Sequence, residues 1–118
     1  MSTDKNQHPN RGEVWFVEFP REEDNRIIDN RPVIVLEDSD DELEVLSVKV
    51  TKHKPRDEWD YNIVYWQEAS LKFESTARIS KSLYLKEDSF LFKIGDLRKE
   101  DLSKIDNLFD KYTENLYK

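Results

Sequence analysis

A mainly β domain that ends in one helix is what this chain of 118 residues predicts, and three observations carry the reading. Short runs of strand-forming residues follow one another with no helical period between them. Turn and loop chemistry separates these runs. An apolar repeat at three- and four-residue steps begins only near the C-terminus, where a single helix can pack on the core. The succession points to a small antiparallel barrel or sandwich.

Taken in order, residues 1–10 (MSTDKNQHPN) are polar and aperiodic and read as a mobile tail ahead of one domain spanning 11–118. EVWFVEF (13–19) is rich in β-branched and aromatic residues and forms a strand that stops at Pro20. PREEDNRIIDN (20–30) has the polarity of a loop and is long for a simple connection, which suggests a task of its own. RPVIVLED (31–38) is a continuous apolar strand begun by a proline, where a missing N–H is tolerated. EDSDDE (37–42) is an acidic turn, and LEVLSVKVT (43–51) is a third strand. Residues 52–60 are irregular, DYNIVYWQ (60–67) has strand composition, STARIS (75–80) and LYL (83–85) supply one or two strands, and FLFKIG (90–95) is the last. Leu102, Ile105, Leu108, Phe109, Tyr112 and Leu116 then mark one face of an amphipathic helix over about residues 99–116.

Composition narrows the function classes. The absence of cysteine rules out a disulfide framework and a thiolate metal site. With only His8 and His53, at no paired spacing, a histidine metal centre is not expected either. The acidic turn lacks the glycine and the twelve-residue pattern of a calcium loop, and two glycines in the whole chain leave no phosphate-binding glycine loop, so no cofactor is expected. No apolar run reaches membrane-spanning length and no signal peptide is evident, so the expectation is a soluble, cytoplasmic protein.

A net charge of −7 argues at first against a polyanionic partner. Its distribution removes the objection: residues 21–44 hold ten acids and three bases, which accounts for all of it. Elsewhere KVTKHKPR (49–56) carries Lys49, Lys52, Lys54 and Arg56 together with His53 and no acid. A solvated loop is the plain account of such a run; an anion-binding loop is the functional one.

Four landmarks give the chain a resemblance to the PemK/MazF family of toxins from type II toxin–antitoxin systems, closest to its PemK-like branch. They are RGEVW (11–15), RPVIVL (31–36), VTKHKPRDEWDYNIVYWQEASL (50–71) and STARISKSLYL (75–85) leading to FKIGDLRKEDLSKI (92–105). The resemblance implies a small SH3-like antiparallel β-barrel of the PemK/MazF (CcdB-like) type with a C-terminal helix, usually as a homodimer. It implies cleavage of single-stranded RNA at short motifs without a metal, and neutralisation by a small antitoxin protein. Residue by residue, Arg31 matches the family's arginine before the proline of the second strand, Thr51 the threonine ending the third, and Arg78 the catalytic arginine. Ser80 stands where the PemK-like branch has an aspartate, a departure from the pattern.

The chemistry gives each of these a role and an alternative. When the 2′-hydroxyl of RNA attacks the adjacent phosphorus, the protein must hold the phosphate, accept a proton and stabilise developing negative charge. Arginine suits the last task, because its planar fork stays charged and donates to two oxygens at once. Arg78 is therefore the leading candidate, against an ion pair with Glu74 or another acid. Arg31 is a second phosphate ligand or a brace to Asp29 or Glu13; Thr51 offers a hydroxyl to phosphate or merely ends a strand. Ser80 cannot serve as a base unaided and reads more simply as an outward strand position. His53 is the candidate proton acceptor, against an exposed loop histidine.

Lys49, Lys52, Lys54 and Arg56 are candidate RNA-binding cations. Among Trp59, Tyr61, Tyr65 and Trp66, Trp59 is the candidate for stacking on a base. The rival reading is a non-catalytic module on the same fold that binds RNA, or a protein such as DNA gyrase in the manner of CcdB-type toxins.

Overall fold

In a computed structural model, residues 8–21, 23–38 and 44–118 are described. The elements run β1 (Glu13–Pro20), β2 (Ile28–Asp38), β3 (Glu44–Thr51), β4 (Asp60–Asn62), β5 (Thr76–Lys86), a short 3-10 turn (Glu87–Ser89), β6 (Phe90–Asp96) and helix α1 (Lys99–Leu116). All six strands join one antiparallel sheet in the order β4-β5-β3-β2-β1-β6, bent like a barrel but open between β4 and β6.

Strand alternation sends side chains to two faces, and both faces are apolar. Val14, Ile34, Leu36, Val48, Val50 and Ile79 lie in the core that receives Ile105 of α1. Trp15, Val17, Phe19, Val33, Val35, Val45 and Leu85 form a second cluster. This double burial explains why RPVIVL is continuously apolar rather than alternating.

Three sequence expectations need correction. β2 begins at Ile28, so the β1–β2 loop is shorter than 20–30, and Pro32 lies inside the strand opposite Phe16. The proline is tolerated because it sits one residue beyond the last β2–β3 pair, Val33 with Lys49. DYNIVYWQ gives only the three-residue β4; beyond Asn62 the chain turns helically, with Ala69 N–H bonding Tyr65 O at 3.3 Å and Leu71 N–H bonding Trp66 O at 3.1 Å. STARIS and LYL are one strand with a break in register, since Lys49 pairs with Arg78 while Ser47 pairs with Leu83.

Order also starts earlier than residue 11: Pro9 is buried, and His8 bonds Asp38 at 3.1 Å and also contacts Glu87. The rest of the expected tail, most of the acidic turn and Leu43 lie outside the described residues.

Helix α1 fastens the irregular segment 63–71 through its first turn. Asp101 is fully buried and accepts from the Tyr61 hydroxyl at 2.6 Å, Val64 N–H at 3.1 Å and Tyr65 N–H at 2.8 Å. Burial, followed by the bond to Asp101, pushes the Tyr61 phenol well above its ordinary value. Arg98 adds two bonds to Glu68, at 2.9 and 3.0 Å, and lies 4.2 Å from the Tyr65 ring centroid. These contacts fix the loop that leads to Ser70, Leu71, Lys72 and Phe73, which border the site.

Candidate functional site

Register alone assembles a polar row on the sheet. Val33 on β2 stands opposite Lys49 on β3, Lys49 opposite Arg78 on β5, and Arg78 opposite Asp60 on β4. Directly opposed residues share a face, so these side chains lie side by side. Arg31 precedes Val33 by two positions and Thr51 follows Lys49 by two, which puts both on that same face.

A cleft of about 940 Å³ opens over this row. Its walls come from β1 (Phe16, Phe19), the β1–β2 connection (Arg21, Glu23), the start of β2 (Asp29 to Pro32), the end of β3 with the basic loop (Lys49 to His53, Arg56), the segment Ser70 to Phe73, Arg78, and β6 (Phe92 to Ile94). Eight lysines and arginines line it against two carboxylates, Glu23 and Asp29. In a protein of net charge −7 that concentration of cations is local and makes the cleft a candidate anion site, although Arg21, Arg78 and Lys93 are each paired with carboxylates.

Most of the predicted site residues meet here: Arg31, Lys49, Thr51, Lys52, His53, Arg56 and Arg78 all border the cleft. Lys49 also lies 5.8 Å from the Phe19 ring centroid and Lys52 lies 5.4 Å from that of Phe73. His53 is exposed, and its N–H bonds the Thr51 hydroxyl oxygen at 3.3 Å. Arg31 bonds Val50 O at 3.5 Å and sits 3.8 Å from Asp29, while its buried Nε has no hydrogen-bond partner among the described residues. Asp29 is gripped by Arg21 at 2.9 and 3.1 Å, and that guanidinium holds its carboxyl below the usual carboxylate range.

Arg78 is buried and already paired with an acid. It is 8% exposed; its Nε donates to Asp60 Oδ1 at 3.0 Å and its Nη2 lies 3.6 Å from Asp57. The partner is Asp60 rather than Glu74, which instead accepts from Asn62 at 3.2 Å. Strand pairing is the reason: β4 places Asp60 directly across from Arg78. Arg78 remains part of the cleft wall.

Three other candidates do not line the cleft. Ser80 lies past Arg78, beyond the last pair before the register break in β5. Lys54 is on the exposed crest of the basic loop. Trp59 packs edge-on against Tyr112 of α1 at 5.3 Å, so it serves the helix contact. Tyr61, Tyr65 and Trp66 likewise turn toward the α1 side.

The aromatics that do border the cleft are phenylalanines. Phe73 is 59% exposed, and Phe92 is 53% exposed and stacked on Phe16 at 5.1 Å. Lys72 and Phe73 escaped the sequence reading although KF in SLKFES is itself a cation–aromatic pair, the very signal used for the basic loop. Among the described residues no group of three histidine, cysteine or carboxylate side chains is placed to hold a metal ion.

Comparison with known proteins fits this geometry. Residues 10–112 match the family described as PemK-like, MazF-like toxin of type II toxin–antitoxin systems. The chain belongs to this family. No curated protein matches the chain.

Solved structures share the fold. MazF from Deinococcus radiodurans superposes with a TM-score of 0.74 at 12% identity, over 91% of this chain and 97% of that one. An endoribonuclease in complex with its cognate antitoxin, from a mycobacterial species, gives 0.68 at 13% identity over 87% and 92%. A MazE–MazF complex from D. radiodurans gives 0.69 at 12% identity over 90% and 95%. Among the described residues no helix is long and apolar enough to cross a membrane.

Proposed function

We propose that this toxin is a metal-independent endoribonuclease that cuts single-stranded RNA in its cationic cleft. The observation that carries the reading is the cleft itself, where eight lysines and arginines face two carboxylates in an acidic protein. Mycobacterial and Deinococcus proteins of the same fold, one of them an endoribonuclease, support it.

In the proposed reaction the ribose 2′-oxygen forms a bond to phosphorus and the bond from phosphorus to the 5′-oxygen breaks. The products are a 2′,3′-cyclic phosphate and a 5′-hydroxyl. Arg31 and Arg78 offset the charge that builds on the phosphoryl oxygens, acting from fixed positions in a partly dehydrated wall. The Thr51 hydroxyl orients a phosphate oxygen. His53, beside Thr51 and open to solvent, accepts the 2′-hydroxyl proton, and solvent water protonates the departing 5′-oxygen. Ser80 has no part in this chemistry, since it lies outside the cleft wall.

The same cleft suits a small antitoxin with an acidic segment, by charge complementarity. The chain acts in the cytoplasm, where mRNA is the substrate, and as a homodimer, which would cover the sheet edges left open at β4 and β6.

Incubating the purified protein with RNA in EDTA tests the reading: discrete fragments are expected, lost in Arg78→Ala. RNA that stays intact with the wild type would refute it. The burial of Arg78 beside Asp60 favours the rival, a binding module without turnover; RNA retention on the protein with no fragmentation would establish that instead.

A further inference from the structure

We infer that Asp60 is the positioning residue of the site, clamping Arg78 so that the rest of its guanidinium is fixed as cleft wall; the inference rests on the nuclease reading above. Three observations converge on it. Asp60 is a carboxylate with a side chain only 1% exposed, so it is not there for solvation. One of its oxygens, Oδ1, receives Arg78 Nε–H at 3.0 Å. The other, Oδ2, receives the backbone N–H of Arg56 at 2.9 Å.

One buried anion therefore holds both the β5 arginine and the end of the basic loop that carries Lys52 and His53. Asp57 reinforces the arrangement from the solvent side, 3.6 Å from Nη2, and is itself tied by Trp59 N–H at 2.9 Å. Both carboxylates address the Nε and Nη2 side of the guanidinium.

The physical consequence is preorganisation. An arginine that must meet charge developing on a phosphate works best when its orientation is already set, because no reorganisation is then needed during the reaction. A surface arginine would sample many rotamers. Asp60 removes that freedom, and through Arg56 it places the loop cations and the arginine in one register. A mutual ion pair alone would only stabilise the fold. The second bond, to the loop that lines the cleft, makes Asp60 a device of the site.

The experiment uses the full chain, a short RNA and EDTA. Asp60→Ala is expected to lower kcat at least tenfold with KM changed less than threefold. Asp60→Asn, whose amide oxygen still accepts Nε–H, is expected to keep clearly more activity than Asp60→Ala. Removing one partner of a buried pair can unfold a protein, so a second measurement stands beside these. In Arg78→Ala, millimolar guanidinium is expected to restore cleavage at least fivefold and to raise Tm by occupying the vacated place beside Asp60.

In Arg78→Ala with Asp60→Asn, where both charges are gone, neither the rescue nor the Tm rise is expected. Equal rescue in the single and double variants, no rescue in the single variant, or an unchanged kcat in folded Asp60→Ala would each overturn the inference. Wild-type protein that cuts no RNA would overturn the nuclease reading instead, and the guanidinium-dependent Tm would still decide whether Asp60 forms the seat.

Discussion

A Cβ atom added at Gly95 would lie 2.4 Å from the carbonyl oxygen of Ala69. That oxygen belongs to the helical turn that precedes Ser70 to Phe73, so β6 and the cleft wall approach each other only because position 95 has no side chain. Backbone at that distance cannot move aside as a flexible side chain would. Gly95→Ala is expected to destabilise the fold by about 1–3 kcal/mol, the usual range for overpacking a tight contact. Urea unfolding monitored by tryptophan fluorescence measures it, and an unchanged midpoint would show that the turn yields freely. Displacement of Lys72 and Phe73 should also weaken RNA binding in the variant that remains folded.

Asp101 offers the sharpest test of how α1 supports the site. It is the shared acceptor for the Tyr61 hydroxyl and two backbone amides, all part-buried, and Asp101→Ala would leave all three without that acceptor. Each stranded donor costs on the order of 1–3 kcal/mol, so a loss of at least about 3 kcal/mol is expected. Tyr61→Phe removes one donor and leaves the acceptor occupied, so its cost should be about half or less. In Asp101→Asn the Tyr61 phenol should ionise at lower pH than in the wild type, because one cause of its raised value is gone. Spectrophotometric titration reads that directly; an unmoved phenol would mean that burial alone sets it.

The fold was legible where periodicity is strong and hidden where partners are remote. Leu102, Ile105, Leu108, Phe109 and Tyr112 announce α1, and its bounds match Lys99–Leu116 because a helix satisfies its own backbone locally. EVWFVEF and FLFKIG announce β1 and β6 for the same reason of composition. DYNIVYWQ misled because its strand-forming residues are used to pack a helical turn onto α1, a choice made by Asp101 some 36 to 40 residues away.

For the site, the anion-binding character of 49–56 could be read from charge alone, and Arg31, Thr51 and Arg78 from the family pattern. The partner of Arg78 could not. Asp60 faces it only because β4 pairs with β5, a register that no local signal specifies. Trp59 follows the basic run in sequence, but it lies in the turn that leads into β4, and Tyr112 of α1 takes up its ring. Phe73 and Phe92 reach the cleft instead.

Glu13 provides a pH-dependent prediction. Burial alone would raise its pKa, but bonds from the Trp15 indole at 2.8 Å and Asn10 N–H at 2.9 Å, with Lys93 3.3 Å away, outweigh it and hold the carboxyl below the ordinary 4.5. A folded-state pKa below the unfolded value stabilises the protein at pH above the unfolded value, and that contribution disappears as pH falls through the folded one. Stability from Glu13 is thus complete at neutral pH and fades only below 4.5. The indole N–H resonance of Trp15, followed by NMR, should titrate with a midpoint under 4.5, and Glu13→Gln should abolish that titration. A midpoint above it would mean that desolvation wins.

The cleft cations should reveal themselves through salt. Single-stranded RNA carries condensed counterions, and each phosphate neutralised by the protein releases some of them, giving log K a slope against log salt of about −0.7 per contact. Lys72 lines the cleft on the loop held by Asp101 and Arg98, is exposed, and has no place in the proposed chemistry. Lys72→Ala is therefore expected to weaken binding to a 2′-deoxy, uncleavable strand by a similar factor for every sequence and to flatten the slope by roughly 0.7. Lys54→Ala, on the crest of the basic loop and outside the cleft wall, should change the slope by less. Phe73→Ala should behave in the opposite manner, reducing affinity through lost stacking worth about 1–3 kcal/mol with little effect on slope. Fluorescence anisotropy across a salt series separates the three. Identical slopes for wild type and Lys72→Ala would remove this lysine from the phosphate path, and a salt effect for Phe73→Ala as large as that expected for Lys72→Ala would mean that the ring acts by holding Lys52 in place, 5.4 Å from its centroid, and not by meeting a base.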